Sequence, residues 1–342
     1  MRESKKYCFG IIGCGTVARQ HAGAIKLICD AELVGVCDII YENAQSFATE
    51  QGCTAFKTPE ELLECDKIDI VCICTPSGLH AEMAVMAANA GKHFVVEKPM
   101  AITENQLESI ISACEKNSVK GAVISQHRVT DTVAYVKRAI DDGLLGDIIS
   151  GDLTMKYYRS PEYYASASWR GTWALDGGGV LMNQGIHGID ILQYLMGQVK
   201  SVYAICKTLA RDIEVEDTAV ILLEYGSGAV GTVNSTTAIS PGYPRVISIN
   251  GTKGSVEITE DTITRWDVEG ECALMPESRP NTTTFRNPKA LAFDSHRAQL
   301  EDMIDAVKNG RRPVIDIYEG RRPVDIILAA YKSSRLGEKV LL

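Results

Sequence analysis

The chain has 342 residues, 45% of them hydrophobic and 23% charged, with a formal net charge of -9. That length accommodates two domains of ordinary size, each with its own core. The acidic balance and the lack of a basic stripe exclude nucleic-acid and anionic-membrane partners, and no apolar run approaches the roughly 20 residues needed to span a bilayer.

The first residues carry charge and pass directly into a strand, without the apolar stretch of a secretory signal, so a cytoplasmic location is expected. Nine of the 11 cysteines lie in the first third (Cys8, Cys14, Cys29, Cys37, Cys53, Cys65, Cys72, Cys74 and Cys114), and none forms a C-x-x-C pair. Zinc-ribbon and thioredoxin-like readings therefore have no spacing to stand on. Cys72 and Cys74 alternate with Val71 and Ile73 as small buried hydrophobes do, which suits a reducing compartment.

From residue 7 to residue 125 short apolar runs alternate with helical patterns, the signature of successive βαβ units. The strands read 7–12, 32–37, 53–56, 68–74, 93–96 and 120–124, with helices beginning near 17, 42, 59, 79 and 104. Thr58-Pro59 and the capping-box spacing of Thr103 and Gln106 mark two helix starts. The first strand runs into Gly13-Cys14-Gly15-Thr16-Val17-Ala18 and an amphipathic helix. In such a G-x-G-x-x-A turn the first glycine allows the bend, the second lets backbone approach a pyrophosphate, and the small third residue lets helix and strand pack closely.

Asp38 ends the second strand, twenty residues beyond Ala18. There a carboxylate accepts hydrogen bonds from the adenosine ribose and repels a 2′-phosphate, and the following Ile39, Ile40 and Tyr41 supply no cation. NAD is thus expected over NADP. The fourth strand ends in Thr75-Pro76-Ser77-Gly78-Leu79-His80, where the middle of the cofactor should lie. Ser77 reads equally well as a helix N-cap, and His80 either faces the cofactor or occupies a first helical turn. After the fifth strand comes Glu97-Lys98-Pro99. Pro99 lacks an N–H and biases Lys98 toward extended geometry, so the lysine sits at a strand's carboxyl end, where open parallel sheets bind ligands.

Beyond residue 125 the pattern changes. A helix over 131–141 leads into β-rich stretches at 147–158, 199–209, 218–225, 229–237 and 246–250, with a hairpin turn at 226–228. Read as strands in direct succession, they predict a largely antiparallel sheet. Lys156, Arg159, Trp169 and Arg170 lie in an aromatic, basic segment suited either to a hydroxyl-rich ring or to an interface, and His127 and Arg128 follow the sixth strand. Residues 177–197 read as a helix entered from Gly177-Gly178-Gly179, with Asn183, His187 and Asp190 on one face. A histidine there can take an alcohol proton as hydride leaves. Gly185 and Gly188 within that helix imply a close neighbour. Helices over 295–308 and 318–335 close the chain.

The turn at Gly13, Gly15 and Ala18, then Thr75-Pro76, Glu97-Lys98-Pro99, the run Gly177 to Asp190 and the tail Glu319-Gly320-Arg321-Arg322-Pro323 together resemble the glucose-fructose oxidoreductase, inositol dehydrogenase and rhizopine-catabolism (Gfo/Idh/MocA) family. The resemblance covers nearly the whole chain. It implies an α/β fold: an N-terminal Rossmann parallel sheet over residues 1–125, then a C-terminal α/β domain over 126–342 with a large open, mainly antiparallel sheet that binds substrate and builds homo-oligomers, dimers or tetramers. It implies Lys98 and His187 as catalytic residues, and NAD held by Gly13, Gly15, Thr16, Val17, Asp38, Thr75, Pro76, His80, Glu97 and Lys98. Substrate would meet Arg128, Lys156, Trp169, Arg170, Asn183 and His187, with no metal.

The implied activity is hydride transfer between NAD and a secondary alcohol or ketone of a sugar or sugar derivative, such as C3 of a pyranose or pyranoside. An inositol 2-dehydrogenase, a reductase working in reverse and a non-catalytic sugar or cofactor sensor are the alternatives. Asn183 departs from the family's usual aspartate four residues before the histidine, and an amide cannot serve as a charged proton relay.

Overall fold

The computed structural model describes residues 6–269 and 293–342. The chain packs as two units, Met1–Gln126 with Leu291–Arg321, and His127–Ala290 with Arg322–Leu342.

In the first unit the elements alternate: β1 (Tyr7–Ile12), α1 (Thr16–Lys26), β2 (Ala31–Cys37), α2 (Tyr41–Gln51), β3 (Thr54–Phe56), α3 (Pro59–Leu63), β4 (Ile70–Ile73), α4 (His80–Asn89), β5 (His93–Val96), α5 (Glu104–Asn117) and β6 (Gly121–Val123). The six strands form one parallel sheet in the order β3-β2-β1-β4-β5-β6. Its order reverses between β1 and β4, the crevice in which such sheets bind ligands. The core is Phe9, Ile11, Ile25, Val36, Phe47, Ile70, Cys72 and Val95, joined by Leu300 and Met303.

Those last two residues belong to a helix assigned from sequence to the second domain. In chain order the second unit's α6 (Asp131–Asp141), α7 (Pro161–Ala165) and α8 (Ile186–Met196) precede it; it is α9 (Asp294–Asn309), and it returns to the first unit. The physical reason is its apolar stripe of Leu300, Met303 and Ile304, which is buried in the sheet's core cluster. At roughly 1.5–3 kcal/mol for each large apolar side chain, that burial outweighs continuity in sequence. Helix α10 (Ile317–Leu336) starts in the first unit and continues into the second.

The second unit's sheet has eight strands: β7 (Ile148–Lys156), β8 (Val199–Lys207), β9 (Thr218–Tyr225), β10 (Val230–Thr236), β11 (Val246–Gly251), β12 (Gly254–Thr259), β13 (Thr262–Val268) and β14 (Val340–Leu341). Their order is β13-β12-β11-β7-β10-β9-β8-β14. Every pairing is antiparallel except β7 with β10, which is parallel. After β7 the chain leaves the sheet through α7 and α8 and re-enters at β8. Two antiparallel steps then bring β10 alongside β7 in the same direction.

Alternation along β7 buries Gly151, Leu153 and Met155 on one face. Helix α8 packs on that face. A Cβ at Gly188 would lie 2.6 Å from Leu153, and one at Gly151 2.5 Å from the Met196 sulfur. The expected helix over 177–197 begins instead as a π-helical turn, Val180–Gly185, before α8. Gly179 makes that entry possible: its own Cβ would fall 1.7 Å from the Glu216 carbonyl oxygen.

Candidate active site

The first unit's site starts at the glycine turn. Gly13 holds φ at +92°, and a Cβ there would sit 2.8 Å from the Cys74 carbonyl oxygen, whereas a Cβ at Gly15 would meet nothing within 4 Å. The first glycine thus serves the bend and the second leaves open room above the turn. No side chain caps α1 and no acid occupies its first turn, so the N–H groups from Gly15 through Thr16 and Val17 form a positive helix end suited to a pyrophosphate. The Asp38 carboxylate accepts from the Cys14 N–H at 2.8 Å and from the Ile40 N–H at 2.9 Å. It is thereby fixed beside the turn. The Thr75 hydroxyl oxygen, at the β4 end, is buried without a hydrogen-bond partner among the described residues. Open turn, uncapped helix, fixed carboxylate and orphaned hydroxyl fit a dinucleotide.

His80 opens α4, the first-turn position that is one of its two readings in sequence. Its Nδ1 lies 2.6 Å from the Pro99 carbonyl and its Nε2 2.9 Å from the Thr75 carbonyl. The ring therefore bridges the loops that leave β4 and β5. Burial lowers its pKa, against the pull of the two carbonyls, and the neutral ring donates to one of them.

Glu97 is buried at the end of β5, its Oε1 2.9 Å from His21 Nε2 and 3.3 Å from His296 Nε2. Its Oε2 accepts from the Lys98 backbone N–H at 3.3 Å. Burial alone would raise this carboxyl, but the two histidine bonds overcome it and hold it well below the usual carboxylate range. One ligand atom from each of the three residues lies within 4.8 Å of the others, the spacing of a metal site. The surroundings fit hydrogen bonds better. Both Nδ1 atoms are buried without partners among the described residues, tolerable for a bare lone pair but costly for the N–H that metal ligation at Nε2 would place there.

The second unit carries the other cluster. Asn183 lies on the π-helical turn and donates from Nδ2 to Asp176 Oδ1 at 2.7 Å, while its Oδ1 accepts from Gln184 Nε2 at 3.3 Å. Asp176 is buried, and its second oxygen accepts from the Gly171 N–H. His187 lies in the first turn of α8 and stands edge-on to His127, ring centroids 5.1 Å apart. His127 Nδ1 lies 3.1 Å from Asp261 Oδ1. Burial would raise the Asp261 carboxyl; His127 and Arg245 hold it down at about 2. Beneath the turn, Glu216 accepts from the N–H groups of Gly179 and Leu181, both at 2.9 Å, and from the Tyr331 hydroxyl. Burial raises it to about 7, with those donors opposing.

The remaining sequence-derived residues are placed as follows. Asp190 forms a bidentate, buried ion pair with Arg128, whose guanidinium also lies over the Tyr194 ring. That arginine thus holds α8 rather than presenting a free fork. Lys156 falls on the face of β7 opposite Leu153 and Met155, away from α8. Arg170 stacks on Trp169 and Tyr163, 4.4 Å from each ring centroid. Sequence reasoning missed His21, Asp176, Glu216, Asp261 and His296. Asp176 alone carried a nearby signal, an acid directly before three glycines; the others act over long sequence separations.

A dinucleotide cradle at the β1–β4 crevice, with a lysine closing β5, defines an NAD-binding oxidoreductase. Two family models match the chain, the oxidoreductase family's NAD-binding Rossmann fold over residues 8–125 and the GFO/IDH/MocA C-terminal domain over residues 133–257. The chain belongs to the Gfo/Idh/MocA family. It is 34% identical to the WlbA dehydrogenase of Bordetella pertussis, solved in complex with NADH and UDP-GlcNAcA, with a TM-score of 0.88 and 99% of each chain covered. It is 27% identical to the myo-inositol 2-dehydrogenase of Thermotoga maritima, over 95% of each chain. It is 35% identical to the glucose-6-phosphate 3-dehydrogenase of Bacillus subtilis, over 54% of this chain and 53% of the relative.

Proposed function

We propose that this oxidoreductase oxidises the C3 hydroxyl of a pyranose, and that a nucleotide-linked pyranose is the first substrate to test. The observation that carries the reading is full-length likeness, at 34% identity, to a dehydrogenase holding NADH and a nucleotide sugar. The likeness to the glucose-6-phosphate 3-dehydrogenase supports the C3 position.

Bound NAD supplies the hydride acceptor. Gly13, Gly15, Thr16 and Val17 would hold its pyrophosphate, Asp38 its adenosine ribose, and Thr75 and Pro76 its middle. In this reading His187 takes the hydroxyl proton, and Lys98 donates a hydrogen bond to the oxygen as charge develops on it. Glu97 and His80 fix the backbone on either side of Lys98. Asn183 presents its carbonyl oxygen as an acceptor, because Asp176 takes the amide's N–H.

An inositol 2-dehydrogenase is the second reading, favoured by the 27% identity to the Thermotoga relative. Asn183, in place of the aspartate usual in that activity, weighs against it.

For assembly, the cross-strand pairs Tyr203–Leu222 and Ile205–Val220 expose four large apolar side chains on one sheet face. Such a patch supports a homo-oligomer built on this sheet. The described cysteines, all free thiols, support a cytoplasmic setting, and no described helix is long and apolar enough to cross a membrane.

The test is NADH absorbance with a panel of UDP-hexoses, free hexoses, hexose phosphates and inositols, with the product's keto position assigned by NMR. A ketone at C3 is expected; oxidation of inositol alone would transfer the assignment to the second reading.

A further inference from the structure

Among the described residues, Arg170 is a guanidinium without an acid. Its Nη1 donates to the Tyr163 hydroxyl oxygen at 2.7 Å, and its plane stacks on Tyr163 and Trp169. Among the described residues no carboxylate pairs with it, although the chain as a whole is acidic. Its Nε is buried without a partner, and its Nη2 has none among the described residues. A half-buried arginine is ordinarily paired, because leaving its charge uncompensated in a low-dielectric setting is unfavourable.

The hydroxyl it touches repeats the imbalance. Tyr163 Oη accepts twice, from Arg170 and from Gln184 Nε2 at 3.2 Å, so its own hydrogen points elsewhere. No acceptor for it exists among the described residues. Guanidinium and phenol together therefore present donors only. The patch is connected to the proposed proton acceptor: Gln184 also donates to Asn183, one turn ahead of His187 on the same helical run.

We propose that Arg170 and Tyr163 form a subsite for an anionic substituent of the substrate, a carboxylate or phosphate ester borne by the sugar. The subsite rests on the sugar-dehydrogenase reading and narrows it to acidic sugars. A planar guanidinium already held by two rings loses little freedom on binding, and it matches both anions in a bidentate manner. The stacked rings shield it from water, so the ion pair is stronger than a surface one.

The test is calorimetric titration of the NADH-loaded protein with two matched pairs, UDP-glucuronate against UDP-glucose and glucose 6-phosphate against glucose. In the wild type at least one acid should bind ten-fold or more tightly than its neutral parent, and the pair that shows the gap identifies the anion. Arg170→Met should bring that ratio toward one, and Arg170→Lys should retain part of it. Tyr163→Phe, which keeps both ring and charge, should narrow it and covers the case of an unstable Arg170→Met. No gap in either wild-type pair, a gap that survives Arg170→Met, or an equal loss of affinity for UDP alone would overturn the subsite. Oxidation of neutral sugars without any gap would leave the dehydrogenase standing and sink the subsite; a gap without NAD reduction by any sugar would do the reverse.

Discussion

Asn183 hydrogen-bonds a buried aspartate, Asp176, at 2.7 Å. A carboxylate seven residues upstream of Asn183 thus holds its amide. Asp176→Ala removes the acceptor of the Asn183 amide. Turnover is then expected to fall on the order of 10-fold with NADH affinity retained, measured by steady-state kinetics and NADH fluorescence titration.

Asn183→Asp should not simply restore the commoner pattern. It places a second carboxylate against Asp176, and two such groups share a proton, raising a pKa in the folded state. The folded protein then holds a proton that the unfolded chain releases, so the variant's stability should fall as pH rises above the ordinary carboxylate range. Melting curves from pH 4 to 8 would show this against the wild type; a variant equally stable across the range would contradict it.

Glu216 offers a pH test in the native protein. Its carboxyl is raised from 4.5 to about 7, chiefly by burial. Because the folded value exceeds the unfolded one, the contribution is full below pH 4.5 and is lost as pH rises toward 7. Glu216→Gln keeps the shape and cannot titrate. The difference in unfolding free energy between wild type and variant should therefore slope across that window and flatten above it.

Lys98→Met and His187→Ala should each lower kcat by about 10²–10⁴-fold if they share the oxygen and proton roles. NAD affinity should change little. Near-normal turnover in either variant would remove the assigned role.

Asp38→Ala removes a charged acceptor that also fixes the turn through Cys14. With charge-assisted hydrogen bonds worth about 1.5–3 kcal/mol, NAD affinity should fall roughly 10- to 100-fold, and the preference over NADP should shrink. Affinities for both cofactors by calorimetry would decide it.

Gly188→Ala tests the packing beneath α8. The added methyl meets Leu153 at 2.6 Å and Arg245 at 3.2 Å, an overpacking that typically costs about 1–3 kcal/mol. A shift in denaturant midpoint at unchanged slope is the expected signature.

The first unit was largely legible because its information is local. Gly13, Gly15, Asp38 and Pro99 each act within a few residues of a strand end, where turn chemistry and periodicity are visible in one dimension. The second unit hid more. The short α7 and the π-helical entry to α8 have no strong periodic signal, and the parallel pairing of β7 with β10 depends on the route through them. The partners of the expected site residues were the least visible: Asp261 lies 134 residues from His127, and His296 lies 199 from Glu97. The face on which Lys156 lies follows from strand alternation, since a pleated strand sends neighbouring side chains to opposite faces.

The return of α9 bears on how the protein is made. A ribosome that has just released residue 126 has produced all six strands of the first sheet but not Leu300, Met303 or His296. Until some 170 further residues emerge, that half carries an uncovered apolar seam beside α1 and a Glu97 with one of its two histidine donors. The nascent chain is thus committed to shielding an incomplete first half while the second is translated, and completion of the lysine-bearing strand end waits for α9.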